Sequence, residues 1–183
     1  MRKLLNAEIK KIRLNPEKTK EITRNPITLM LDNVRSLYNV GSIFRTCDAA
    51  LAKELILTGF TPYPPRAEIE KTALGAVETV PWRYFKSTAE AVEKLKNEGN
   101  KIIAVEITDD SRKYDDLTFD DFPLCLILGN ELTGIDNDIL SLCDSAIEIP
   151  MYGVKHSLNV SVAAGIVLFE AVKIWKSIKN SNT

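Results

Sequence analysis

The stretch IPMYGVKHSLNVSVAAGIVLFE, residues 149–170, decides how this chain reads. It opens at the end of a strand, AIEIP (146–150). It crosses a loop holding Gly153, Lys155 and His156, then enters a long apolar helix through Ser157 and Asn159. A polar pair at a helix entrance stands beside backbone N–H groups that have no partner within the helix. That suits a ligand with many hydrogen-bonding edges. Two earlier stretches, NVGSIFRTCDAA (39–50) and LILGNELTG (126–134), have the same build. In each, polar residues gather where an apolar strand or helix begins or ends. Three such junctions in one small domain predict one composite site.

Working outward, apolar runs alternate with helical patterns. ITLMLDNV (27–34), ELILTG (54–59), KIIAVEIT (101–108), PLCLILG (123–129) and SAIEIP (145–150) read as strands. VPWRYF (80–85) reads as an edge strand, with Pro81 near its start. Helices are predicted at 2–13, at 39–52 with Asn39 marking the start, at 67–73, 87–99, 137–143 and from about Ser157 to Ile178. Helix 87–99 opens on Ser87-Thr88-Ala89-Glu90, a capping box, and closes on Gly99. Residues 61–66 form a proline-rich loop, and an acidic loop runs through Asp121. Several strands are apolar along their whole length. That is the pattern of a mostly parallel sheet covered by helices on both faces, an α/β fold. From Leu158 to Val172 only Asn159, Ser161 and Glu170 interrupt an apolar or small sequence. One sheet face cannot cover so wide an apolar girth, so a partner subunit is expected.

The 183 residues suffice for one domain with a sizeable core. No apolar run has the length of a membrane span, and the charged start MRKLLNAEIKKIR lacks the apolar centre of a secretory signal. Cys47, Cys125 and Cys143 have no metal-ligand spacing and read as free thiols of a cytoplasmic protein. Net charge is −1, but residues 1–24 carry eight Lys or Arg against three Glu. A basic extension, residues 1–25 with Pro16 and Pro26 about its connector, thus precedes a mildly acidic body, residues 26–183. Such an arm is compatible with a local phosphate-binding surface.

Neither a Walker A pattern nor G-x-G-x-x-G occurs. His156 is the only histidine, no G-x-S-x-G elbow accompanies it, and no cluster of His, Cys and carboxylates reads as a metal site. The three junctions resemble, in order and spacing, the three motifs of the SpoU/TrmH family of RNA ribose 2′-O-methyltransferases, within the SPOUT superfamily. The first has Asn39 six residues before Arg45; the second has Gly129, Asn130 and Glu131; the third has Ser157 and Asn159. The resemblance runs from about residue 27 to 175. The additional amino-terminal RNA-binding domain of some relatives is not matched, and basic residues 1–24 stand in its place.

The resemblance implies a carboxy-terminal trefoil knot, S-adenosylmethionine as methyl donor, tRNA or rRNA as acceptor, and a homodimer without a metal. It implies catalytic roles for Arg45, Asn39, Glu131, Ser157 and Asn159. Arg45 is expected to act on the 2′-hydroxyl and Glu131 to orient it. Cofactor contacts are expected at Leu128, Gly129, Ile149, Met151, Ser157 and Leu158. Two other readings stay open: a SPOUT-fold base methyltransferase, and a catalytically inactive RNA-binding protein.

Overall fold

Every strand pair in the computed structural model is parallel, and seven strands form one sheet. The structure describes residues 1–14 and 22–181, with side chains in the last helix to Ser177. Pro16, Glu17, Lys18, Lys20 and Glu21 of the basic arm, and the Lys179 side chain, lie outside the described residues. The elements run α1 (Asn6–Ile12), β1 (Asn25–Asp32), α2 (Leu37–Ala49), β2 (Ala52–Thr58), α3 (Ala67–Ala73), α4 (Ala76–Thr79), β3 (Trp82–Phe85), α5 (Thr88–Asn97), β4 (Lys101–Val105), β5 (Arg112–Lys113), β6 (Leu124–Leu128), α6 (Asn137–Leu140), β7 (Ser145–Glu148) and α7 (Val160–Ser181). Strand order is β3-β2-β1-β6-β4-β7-β5. The chain first builds outward from β1 to β3, then restarts on the other side. The order therefore reverses beside β1 and β6, and a crevice opens beyond their carboxyl ends.

Alternation along each strand feeds two cores. Leu29, Leu31, Leu55, Leu57, Leu126 and Leu128 face α2 and α7, with Val40, Phe44, Val167 and Leu168 between them. Met30, Ile56, Ile102, Cys125 and Ile127 face α5 through Ala91, Val92 and Leu95. Each fully buried side chain of this size stabilises by about 1.5–3 kcal/mol. On β1, β2 and β6 both faces are covered, which is why their sequences lack a polar alternation.

Local chemistry moved several boundaries. Helix α2 begins two residues before the expected Asn39, because the Ser36 hydroxyl accepts the Asn39 N–H at 3.3 Å and is the cap. Helix α7 starts at Val160, not Ser157. The Asn159 amide oxygen accepts from the Ser161 N–H (2.9 Å) and hydroxyl (2.6 Å), so Asn159 is the cap. Helix α1 is seven residues long and buries none of them, leaving Ile12 and the preceding Leu5 exposed. Ser87 caps α5 by accepting the Glu90 N–H at 3.4 Å. Helix α4 and strand β5 carry no periodic pattern and escaped the sequence reading. Asp121, in the acidic loop, is buried against Arg112 at 2.8 Å. Along α7, Ala164, Val167, Leu168 and Ala171 are buried, whereas Val162 and Phe169 are about half exposed. Tyr38 of α2 is half exposed as well. The expected apolar girth is thus left partly uncovered by its own chain.

Candidate functional site

Parallel strands send all their carboxyl ends to one edge of the sheet. The segments after β1, β6 and β7 therefore meet there. Glu131, in the turn after β6, is the hub. Its carboxylate accepts the N–H of Arg35 (2.9 Å), the N–H of Ser36 (3.2 Å) and the side-chain amide of Asn39 (3.0 Å). The Asn39 oxygen in turn accepts the Asn159 amide at 3.2 Å. One polar chain, Glu131–Asn39–Asn159, thus ties together the three sequence junctions. The carboxylate also sits at the amino end of α2, where the helix dipole favours negative charge. Burial pushes the Glu131 carboxyl up. Hydrogen bonds from the N–H of Arg35, its own N–H, the Asn39 amide and the Ser36 N–H outweigh that, and hold it below the usual carboxylate range.

The sign follows. A carboxyl held below its unfolded value near 4.5 stabilises the fold above that pH, and the contribution is lost as pH falls through the depressed value. All three of its partners from other residues are donors, so a glutamine here would aim its NH2 at a donor. Glu131→Gln is expected to cost about 1 kcal/mol at neutral pH. Thermal melts should show less acid-linked loss for the variant than for the parent. Parallel pH profiles for the two proteins would refute this.

Asn130 closes the turn around Glu131. Its main chain pairs with Gly134 at 3.0 and 2.9 Å. Its amide donates to the Asn33 carbonyl at 2.8 Å, and its side-chain oxygen accepts the N–H of Leu132 (2.9 Å) and Thr133 (3.3 Å). Gly129 is needed just before it, since a Cβ there would lie 2.3 Å from the Gly134 carbonyl carbon. Glu106, after β4, pins the far side by accepting the N–H of Ile107 (3.0 Å) and Ile135 (3.2 Å). Sequence reading passed over Glu106; its only signal was an acid directly after an apolar strand.

Beside this turn lies a cleft of about 640 Å³, within the range of small-ligand pockets. Leu128, Gly129, Ile149, Met151, Ser157 and Leu158 all line it, as do Glu131 and His156. Apolar walls suit an aromatic base, and the lining carboxylates Glu106, Glu131 and Glu148 suit a cationic ligand. These residues fit S-adenosylmethionine, which joins an adenine to a positively charged sulfonium. Among the described residues no group of three His, Cys, Asp or Glu is placed to hold a metal ion.

Arg45 lies elsewhere. It is exposed on α2, in a separate depression with Ser42, Lys71, Thr72 and Phe169. It makes no hydrogen bond or ion pair among the described residues. Glu131 does not orient it within the protomer, because that carboxylate is engaged by Arg35, Ser36 and Asn39. Nor does Asp48, which accepts the Thr79 hydroxyl at 2.6 Å. The cause is helical geometry. At 3.6 residues per turn, six residues rotate a side chain by roughly 240°, so Arg45 leaves the face that Asn39 presents.

The sequence model of the SpoU rRNA Methylase family matches residues 26–169. The chain is 35% identical over 145 residues to the tRNA (guanosine(18)-2'-O)-methyltransferase of Thermus thermophilus, spanning 79% of this chain and 73% of that relative. Its fold matches the crystal structure of the A. aeolicus TrmH/SpoU tRNA modifying enzyme with a TM-score of 0.78 at 30% identity, over 90% of this chain and 84% of the other. It also matches an AdoMet-bound rRNA methyltransferase from Sinorhizobium meliloti, with a TM-score of 0.77 at 30% identity, over 85% and 59%.

Proposed function

Because the chain belongs to the SpoU rRNA methylase family, we propose that it transfers a methyl group from S-adenosylmethionine to a ribose 2′-hydroxyl of tRNA or rRNA. The observation that carries this reading is the polar chain Glu131–Asn39–Asn159 at the mouth of the cleft. Membership also implies the trefoil knot, and β6 inserted between β1 and β4 is in keeping with it.

Leu128, Gly129, Ile149, Met151, Ser157 and Leu158 would hold the cofactor, with apolar side chains about the base and backbone groups at its edge. When bound, it supplies a methyl group on an activated sulfonium. The protein's share is alignment and exclusion of water. Glu131 fixes Asn39, and Asn39 fixes Asn159. These two amides are then set to hold the acceptor ribose or its phosphate. Arg45 presents a planar guanidinium with five N–H donors. Its part is to stabilise the 2′-oxygen as negative charge develops there and to clamp the adjacent phosphate.

Arg45 opens beside Phe169, on the uncovered side of α2 and α7. A homodimer built on this side would shelter Tyr38, Val162 and Phe169 and bring Arg45 towards the partner's cleft. We place the protein in the cytoplasm with its RNA. No described helix is long and apolar enough to cross a membrane.

Incubation with labelled cofactor and total RNA, followed by nuclease digestion, tests the activity. A labelled ribose is expected. A labelled base would make it a base methyltransferase, and no incorporation would leave an RNA-binding protein. The basic residues 1–25 are assigned to RNA. Removing residues 1–20 should weaken RNA binding more than cofactor binding, and equal losses in calorimetry would refute that.

A further inference from the structure

Phe60, two residues after the end of β2, is 88% exposed, yet the backbone around it is fixed. The Asn33 side-chain oxygen accepts the Phe60 N–H at 2.9 Å. Gly59, at φ +62, has its carbonyl held by the Tyr84 hydroxyl at 2.9 Å. Tyr84 packs against Tyr63 with ring centroids 4.4 Å apart and the planes tilted by 39°. The Thr61 hydroxyl donates to the Leu31 carbonyl at 3.0 Å and accepts the Val34 N–H at 3.1 Å. An aromatic ring on so rigid a mount gains nothing for the fold by facing water. With Leu132 it forms an exposed apolar patch rimmed by Arg35, Asn130 and Thr133, the kind of patch that marks a binding surface.

The ring borders a depression of about 490 Å³ with Arg35, Asn130, Leu132 and Thr133. Leu132 is 81% exposed. The Arg35 side chain has no hydrogen bond or ion pair among the described residues, although its N–H is tied to Glu131. Asn130, Leu132 and Thr133 also line the cofactor cleft, so one turn is the wall between the two hollows. A strand whose target ribose enters the cleft would carry its neighbouring nucleotide into this depression. Single-stranded RNA is bound by stacking splayed bases on aromatic rings, with guanidinium groups on the phosphates. An unpaired arginine beside an exposed ring and an exposed leucine offers those partners.

We propose that this depression takes an unstacked base next to the methylated nucleotide. Phe60 stacks on the base, Leu132 abuts its other side, and Arg35 meets the phosphate. The proposal rests on the RNA methyl-transfer reading, and it makes Phe60 and Arg35 positioning residues for that substrate.

The test uses the full chain and two fluorescein-labelled probes, octaadenylate and the same strand paired to octauridylate. Phe60→Ala should weaken octaadenylate binding about tenfold, the loss of one stacked base, and change duplex binding less than about twofold. Phe60→Trp should restore affinity, and octaadenylate should quench its emission beyond the change seen in the parent. Arg35→Ala should reduce the salt dependence of octaadenylate binding by about one phosphate contact. Cofactor affinity, measured by calorimetry, should be unchanged in all three. Octaadenylate binding by Phe60→Ala within twofold of the parent, or an unquenched Phe60→Trp, overturns the proposal and makes the surface one for a partner other than a base, such as a protein. Failure of the methyl-transfer reading appears differently: octaadenylate binds the parent and quenches the Phe60→Trp variant, but the parent incorporates no label.

Discussion

Arg45→Ala and Arg45→Lys are both expected to lower methyl transfer to RNA by about 10²–10³-fold, the usual cost of losing one stabiliser of a developing oxyanion, while the Kd for S-adenosylmethionine stays unchanged. Arg45 is exposed and has no partner among the described residues. Its loss should therefore leave the melting temperature alone, which separates catalysis from stability. Lysine fails as well as alanine because a point ammonium cannot present a planar fork to an oxygen and a phosphate together. A complementation test asks where the guanidinium acts. Arg45→Ala and Asn159→Ala subunits should each be nearly inactive alone. If the site is shared across a two-fold axis, unfolding and refolding them together should restore roughly a quarter of parental activity in the statistical mixture of dimers. No recovery would confine the site to one protomer. Near-normal turnover by both Arg45 variants would remove Arg45 from the chemistry altogether.

Gly129→Ala is expected to weaken cofactor binding by about 100-fold and to destabilise the protein by about 1–3 kcal/mol, as overpacking at rigid neighbours does. The added Cβ would lie 2.3 Å from the Gly134 carbon, 2.5 Å from its oxygen and 2.6 Å from the Ile135 nitrogen. These are backbone atoms, which cannot swing aside as a flexible side chain can. Gly134 is also bound to Asn130 by two main-chain hydrogen bonds, at 3.0 and 2.9 Å. Relief requires the whole turn 130–134 to move away from the end of β6. That turn carries Glu131 and one wall of the cleft. Binding and stability should fall together, in calorimetry and in thermal melts. A variant that binds the cofactor within about tenfold of the parent would show that the turn yields at little cost.

The contrast between Asn39 and Arg45 shows how far the sequence could be read. Both stand in NVGSIFRTCDAA, and the resemblance points to both as site residues. Asn39 looked like a helix cap, because a polar residue before an apolar run is the usual start signal. The cap is Ser36, three residues upstream, and this frees the Asn39 amide to join Glu131 and Asn159. Residue type announced a polar role at position 39 and could not say which of two hydrogen-bonding partners would claim it. For Arg45 the six-residue helical spacing already sets it on another face than Asn39, and only the packing of α2 decided which hollow that face borders.

The sequence by itself determined six of the seven strands and the burial of β1, β2 and β6 on both faces, because those follow from apolar runs. The expectation for Leu128, Gly129, Ile149, Met151, Ser157 and Leu158 rested on the family resemblance. The sequence also carried the family, through three motifs in order. Only the tertiary structure decided that Glu131 bonds to Arg35, Ser36 and Asn39, that Glu106 pins the opposite wall, and that Phe60 stands in water above a second hollow. These contacts join residues from 27 to 96 positions apart. Local propensity contains no term for such separations. They are set by the strand order, which brings the carboxyl ends of β1, β2 and β6 side by side.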